Sequence, residues 1–275
     1  MSDGIIGSEA SAYVPDQRGS GSFGFDFQES PFSSVQVDRH TRGRTQITWA
    51  LRSDFGAPTP WEFTVQWARS GDDEWEDVIT VTDAFAALDA SQRDYSSVLN
   101  GFYRVYLVDA GGSSYASKPS NFPSTWETRD LQICDELRRR ELLLYAEGGI
   151  KCWILCRKSW GTACTSCLDD TTGEVLNPRC PTCFGTGFVG GYHNPYPTYC
   201  LPQQMDQDIR ENLGTLIYDR LAIRLSAIPT VTEHDVVILD GSDIRLKVIK
   251  VRNLASWKGR SMVQGLVLEA ADPSD

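Results

Sequence analysis

The sequence predicts a mainly β, multi-domain protein: an antiparallel β-sandwich, one helix, a cysteine-rich loop and a small C-terminal β-barrel. Three observations predict it. Between about Ser33 and Pro123, short runs of alternating apolar and polar residues are separated by Gly, Asp and Ser. That period of two, rich in aromatic and β-branched residues, marks half-buried strands. After Pro123, Leu131, Cys134, Leu137 and Leu144 recur at three and seven, the spacing of a helix. All eight cysteines then fall between Cys134 and Cys200, which points to a local site and not to a chain-wide disulfide framework.

Residues 1–32 are expected to form a flexible arm, because Gly19-Ser-Gly-Ser-Phe-Gly-Phe-Asp-Phe carries no sustained period. Such an arm orders only against a partner; a tail without a role is the alternative. The sandwich is expected over residues 33–123, with strands at Thr45–Leu51, Trp61–Trp67, Trp75–Val81 and Gly101–Val108. Trp49, Trp67 and Tyr103 are its expected core residues.

The order of signals sharpens this reading. Trp49 falls on an early strand, Tyr103 opens a late one, and Ser113-Ser-Tyr-Ala-Ser supplies the last. In that order the segment resembles a fibronectin type III domain over about a third of the chain. Immunoglobulin-like sandwiches share much of the pattern. The resemblance implies a display or adhesion module and, on its own, nothing more.

From 124 to 275 the helix, the cysteine loop and the barrel are expected to form one unit. Ser124 or Thr125 can cap the helix, with Glu127 in its first turn, and Gly148-Gly149 ends it after about Tyr145. Arg138-Arg139-Arg140 is read as a solvated face. Ile150–Arg157 is a short strand leading into the cysteine loop, placed at about 150–200. Strand patterns return at Leu221–Leu225, Asp235–Leu239, Ile244–Val251 and Met262–Glu269, so the barrel is placed at about 215–272. Asp240-Gly241 is the hairpin signal between two of them, and Pro229 marks a strand boundary.

Cys164-Thr-Ser-Cys167, a turn-rich loop with Asp169-Asp-Thr-Thr-Gly173, and Cys180-Pro-Thr-Cys183 have the spacing of a zinc ribbon. Each Cys-x-x-Cys turn aims two thiolates at one metal and leaves backbone N–H groups to bond the sulfurs. Two such turns complete a tetrahedron. Cys164, Cys167, Cys180 and Cys183 are therefore the predicted ligands of one structural zinc; two disulfides or four unpaired thiols are the alternatives. A tetrathiolate site is coordinatively closed, so it holds a loop and does not activate water. Cys152 and Cys156 lie on one face of a strand about 13 Å apart, too far to share a metal or a disulfide, and are expected in the core. Cys200 with His193 lacks the partners for a second site.

Gly185-Thr-Gly187-Phe-Val-Gly190 matches a dinucleotide-loop pattern literally, yet it follows a Cys-x-x-Cys turn and opens no helix. Tight turns explain its glycines. Cys180-Pro-Thr-Cys183-Phe-Gly-Thr-Gly187 also resembles one module of the zinc domain in heat-shock cochaperones. That family uses four such modules, and the chain has one complete module and no His-Pro-Asp motif.

The net charge of −11 and pI near 4.8 argue against general affinity for nucleic acid or anionic membrane. No apolar run reaches the roughly 20 residues of a membrane span, and the N-terminus lacks the regions of a signal peptide. A cytosolic start is expected. The three histidines, His40, His193 and His234, stand beside no nucleophile motif, so no enzyme is expected and no catalytic residue is assigned.

Three features together suggest a source: the helix with Arg138-Arg-Arg-Glu-Leu-Leu-Leu, the block from Gly161 to Tyr192, and Glu233–Arg252. The cysteine block resembles zinc-loop segments of virion structural proteins of tailed bacteriophages. Glu233–Arg252 is similar to the small barrel of head-closure and head–tail adaptor proteins, and the likeness covers about half the chain. It implies a virion protein assembled in the host bacterial cytoplasm, forming a neck or collar ring between portal and tail. Its partners would be copies of itself, the portal and tail proteins, with DNA only passing through the lumen. A baseplate or tail-fibre attachment protein is the alternative, followed by a nucleic-acid-binding zinc ribbon. Against the last, Asp169, Asp170 and Glu174 face only Arg179 within the ribbon.

Overall fold

The computed structural model describes residues 30–70, 74–169, 172–203, 220–242 and 244–271. The expected arm lies outside these residues, apart from its last three positions.

The sandwich is built from β1 (Phe32–Thr41), β2 (Arg44–Leu51), β3 (Glu62–Ala68), β4 (Glu76–Thr82), β5 (Ala86–Asp89), β6 (Phe102–Val108) and β7 (Ser114–Ala116). One sheet runs β1-β2-β5 and the other β4-β3-β6-β7, with all pairs antiparallel. Alternation decides which face is inside: along β6, Tyr103, Val105 and Leu107 are fully buried while their neighbours are half-exposed. Across the sandwich they meet Ile47, Trp49 and Leu51 of β2, and the Trp49 and Phe63 rings lie 5.2 Å apart. Trp67 packs against this core from its edge. It is half-buried, and the Arg93 guanidinium covers its ring at 3.8 Å, while Trp61 takes the interior position. Sequence alone also passed over β1, β5 and the short helix α1 (Tyr95–Asn100), which Asp94 caps by accepting from the Ser97 amide at 2.7 Å.

Helix α2 spans Thr128–Gly148. Its cap is Glu127, not Ser124 or Thr125, and Asp130 completes a reciprocal capping box. The buried face runs Leu131, Cys134, Asp135, Arg138, Tyr145, so the helix turns Leu142, Leu143 and Leu144 outward. The arginine run divides accordingly. Arg139 and Arg140 are exposed on Glu136, whereas Arg138 is buried, contrary to the solvated face expected for all three.

Six antiparallel strands close a barrel in the order β10-β13-β12-β11-β8-β9. They are β8 (Ile150–Leu155), β9 (Tyr196–Gln203), β10 (Arg220–Ser226), β11 (Val236–Leu239), β12 (Arg245–Trp257) and β13 (Arg260–Ala270). The barrel thus starts well before the 215 expected from sequence, because β8 pairs with β11 and β9, and β9 with β10. Pro197 and Pro202 hid β9, since proline argues against an interior strand. The Asp240-Gly241 turn does join β11 to β12, with Gly241 at φ +76°. At the opposite hairpin, Lys258-Gly259 carries the tip onto the start of α2. There Trp257 Nε1 and Lys258 Nζ donate to the Asp130 carboxylate at 3.0 and 2.7 Å. One apolar core continues from the sandwich through Leu131 and Cys134 of α2 to Met262 and Val263 of the barrel.

Candidate metal centre

Between β8 and β9 the chain leaves the barrel for residues 156–195 and returns to the neighbouring strand. An excursion of that length without regular structure must find its order elsewhere. Three isolated bridges zip it together: Arg157 with Tyr192, Ala163 with Phe188, and Leu168 with Val175. At its far end two Cys-x-x-Cys turns face each other.

In the first turn the Leu168 amide donates to the Cys164 carbonyl at 3.0 Å; in the second, the Phe184 amide donates to that of Cys180 at 2.8 Å. The turns are joined by Cys164 N–H to Gly187 O at 2.8 Å and Val189 N–H to Thr162 O at 2.8 Å. Gly185 must be glycine here: at φ +72°, a Cβ would stand 2.4 Å from the Pro178 carbonyl oxygen. The glycine-rich stretch therefore serves the turns, as expected, and no helix follows it.

The sulfurs of Cys164, Cys167, Cys180 and Cys183 all lie within 4.8 Å of one another, and each residue is at most 3% exposed. Cys164 and Cys180 are 3.8 Å apart, close to the spacing of about 3.8 Å implied by four sulfurs 2.3 Å from a shared tetrahedral centre. Cys167 and Cys183 stand closer, at 2.9 Å, well beyond the about 2.05 Å of a sulfur–sulfur bond. All eight cysteines are free. Backbone N–H groups of Thr182 and Cys183 bring the Cys180 thiol down to about 6, the effect expected of such a turn. Cys167, hydrogen-bonded to Cys183 and buried, is pushed up instead. Four thiols this close cannot all ionise beside one another unless a cation compensates them. The four buried cysteines could hold a metal ion, and the donor set is all sulfur.

Other side chains, invisible to any spacing rule, fold the loop on itself and, through Trp160 and His193, fix it on the sandwich. Thr186 Oγ1 donates to the Cys183 carbonyl at 2.8 Å. Arg157 Nη2 reaches the Gly185 carbonyl at 2.8 Å, and Lys158 Nζ the Val189 carbonyl at 2.9 Å. Trp160 stacks on Trp61 of the sandwich with centroids 5.8 Å apart and meets Phe63 edge-on. His193 lies between Phe85 and Trp160, 4.8 Å from each ring, and burial followed by the Lys158 charge lowers it to about 4. Cys152, Cys156 and Cys200 are buried together in the barrel core. Among the described residues, no further group of three His, Cys, Asp or Glu side chains comes within metal-holding distance. Asp170 of the ribbon lies outside the described residues.

Among the described residues no helix is long and apolar enough to cross a membrane. No family model matches the chain, and no curated protein matches it. Among solved structures the chain is similar to titin kinase and its flanking domains, at 11% identity and a TM-score of 0.29. The match covers 87% of this chain and 37% of that one, and a likeness so slight carries no argument about fold or activity.

Proposed function

We propose that the chain is a structural subunit of a tailed-bacteriophage virion, a neck or head–tail connector protein that forms a ring between portal and tail. The observation that carries this reading is the closed six-stranded barrel with α2 packed beside it. A small barrel is what the likeness of Glu233–Arg252 to head-closure proteins leads one to expect. In this reading the sandwich is displayed outward as a collar, and the chain supplies no chemistry of its own.

The metal in the four-cysteine centre is zinc, held by Cys164, Cys167, Cys180 and Cys183. A closed tetrathiolate shell suits a structural zinc, which contributes on the order of 10 kcal/mol to ordering a loop that has little core. The ordered loop presents Leu176, Phe184 and Val189 at 70, 47 and 41% exposure. Such an apolar tip favours contact with another protein over contact with phosphates.

Proteomics of particles produced from the encoding genome tests the role, with antibody labelling to place the chain on them. Labelling at the head–tail junction is expected. Absence of the chain from purified particles contradicts the proposal, and labelling at the distal tail end would move it to the baseplate.

A further inference from the structure

A cavity of about 340 Å³ opens between the second half of α2, β9 and the end of β10, with His40 of β1 on its wall. On its wall is an arginine in no direct ion pair, on which the Asp38 and Asp135 charges act only from farther off. Arg138 is 4% exposed; its Nη1 donates to the Ser226 hydroxyl at 2.9 Å, and its Nε has no partner. A buried guanidinium keeps its proton and ordinarily sits against a carboxylate. Three carboxylates stand nearby or on the cavity wall, and each is engaged elsewhere. Asp38 pairs with Arg260 at 3.3 Å; Asp135 takes Arg39 at 3.0 Å and the Tyr95 hydroxyl at 2.9 Å. Glu141 takes Arg224 and the Tyr145 hydroxyl. Among the described residues Arg138 enters no ion pair.

The rest of the lining has the same character. His40 Nδ1 is buried and has no partner. Burial, then the charges of Arg138 and Arg44, lower this imidazole to about 4, so at neutral pH it is uncharged and can donate one N–H. Lys151 stands exposed at the rim, and Tyr196 lines the wall. A buried cation, a second cation at the mouth and a neutral donor, with every nearby carboxylate committed, are the groups that recognise an anion.

We propose that this cavity binds a small oxyanion, a carboxylate or a phosphate, with Arg138 as the charged donor and His40 as the neutral one. The site is separate from the metal centre and does not depend on the virion role.

Ring-proton NMR of the full chain tests it, because only three histidines need assignment. Inorganic phosphate and, separately, acetate are titrated at pH 7 against potassium chloride of equal ionic strength. The His40 resonance should shift saturably while those of His193 and His234 stay in place. Response to phosphate alone marks a phosphate site; response to acetate alone marks a carboxylate site. Arg138→Met should abolish the shift. Lys151→Gln, at the exposed rim, should weaken binding several-fold, and it reports even if Arg138→Met does not fold. A His40 resonance that neither anion moves saturably, that chloride moves equally, or that responds undiminished in Lys151→Gln overturns the proposal.

Discussion

The Tyr103 hydroxyl donates to Oδ2 of Asp89 at 2.7 Å, tying the start of β6 in one sheet to the end of β5 in the other. Both residues are buried, and Asp89 also accepts from the Ser91 amide, the Ser91 hydroxyl and Arg93 Nε. Tyr103→Phe keeps the ring and removes one donor from a buried carboxylate. A loss of about 1.5–3 kcal/mol is expected, since hydrogen bonds to charged groups contribute that much. Denaturant unfolding of the full chain, followed by tryptophan fluorescence, measures it.

The same carboxylate makes the sandwich sensitive to acid. Burial pushes Asp89 up, but the bonds from Ser91 and Tyr103 and the charge of Arg93 outweigh it and hold the group below the usual range. A depressed folded value adds stability that is complete above the unfolded value of about 3.9 and is lost as pH falls through the folded one. Between about pH 5 and pH 2, the thermal midpoint of the wild type should therefore fall further than that of Asp89→Asn. Equal falls would show that the Asp89 bonds contribute nothing.

Trp160 joins the cysteine loop to the sandwich through Trp61, Phe63 and His193. Trp160→Ala should cost about 3–5 kcal/mol, the range for emptying a buried tryptophan site. It should also raise amide exchange in Trp61 and Phe63, which a purely local effect within the loop would leave unchanged.

How far sequence could reach is clear from these elements. The four-cysteine cluster was legible because a Cys-x-x-Cys turn is local: two thiols converge within four residues, whatever the rest of the chain does. The sandwich strands were legible because Tyr103, Val105 and Leu107 keep a strict period of two. By contrast β9 contains two prolines, and its place in the barrel is set by partners on β8 and β10 distant in sequence. Arg138 shares its run with two exposed arginines, so only the turn of α2 against the barrel distinguishes it. Trp160 and Thr186 carry no spacing signal at all.

Cys183→Ser leaves three thiolates and an incomplete shell. Residues 161–195 should then lose protection from hydrogen exchange while β1–β7 and the barrel strands keep theirs, because the metal orders a loop and not the cores. If the loop contacts a neighbouring subunit, the variant stays soluble and fails to enter particles. Precipitation of the variant would instead make the loop an internal staple for the whole chain.

The central claim is that the four cysteines hold one structural zinc, and elemental analysis of the full chain purified anaerobically without added reductant tests it most directly. One zinc per chain is expected, falling to none in Cys183→Ser, with all eight thiols of the wild type titrating once the metal is chelated and the chain denatured. A chain that carries no metal, with only four titratable thiols after denaturation, contradicts the account and replaces the centre with two disulfides.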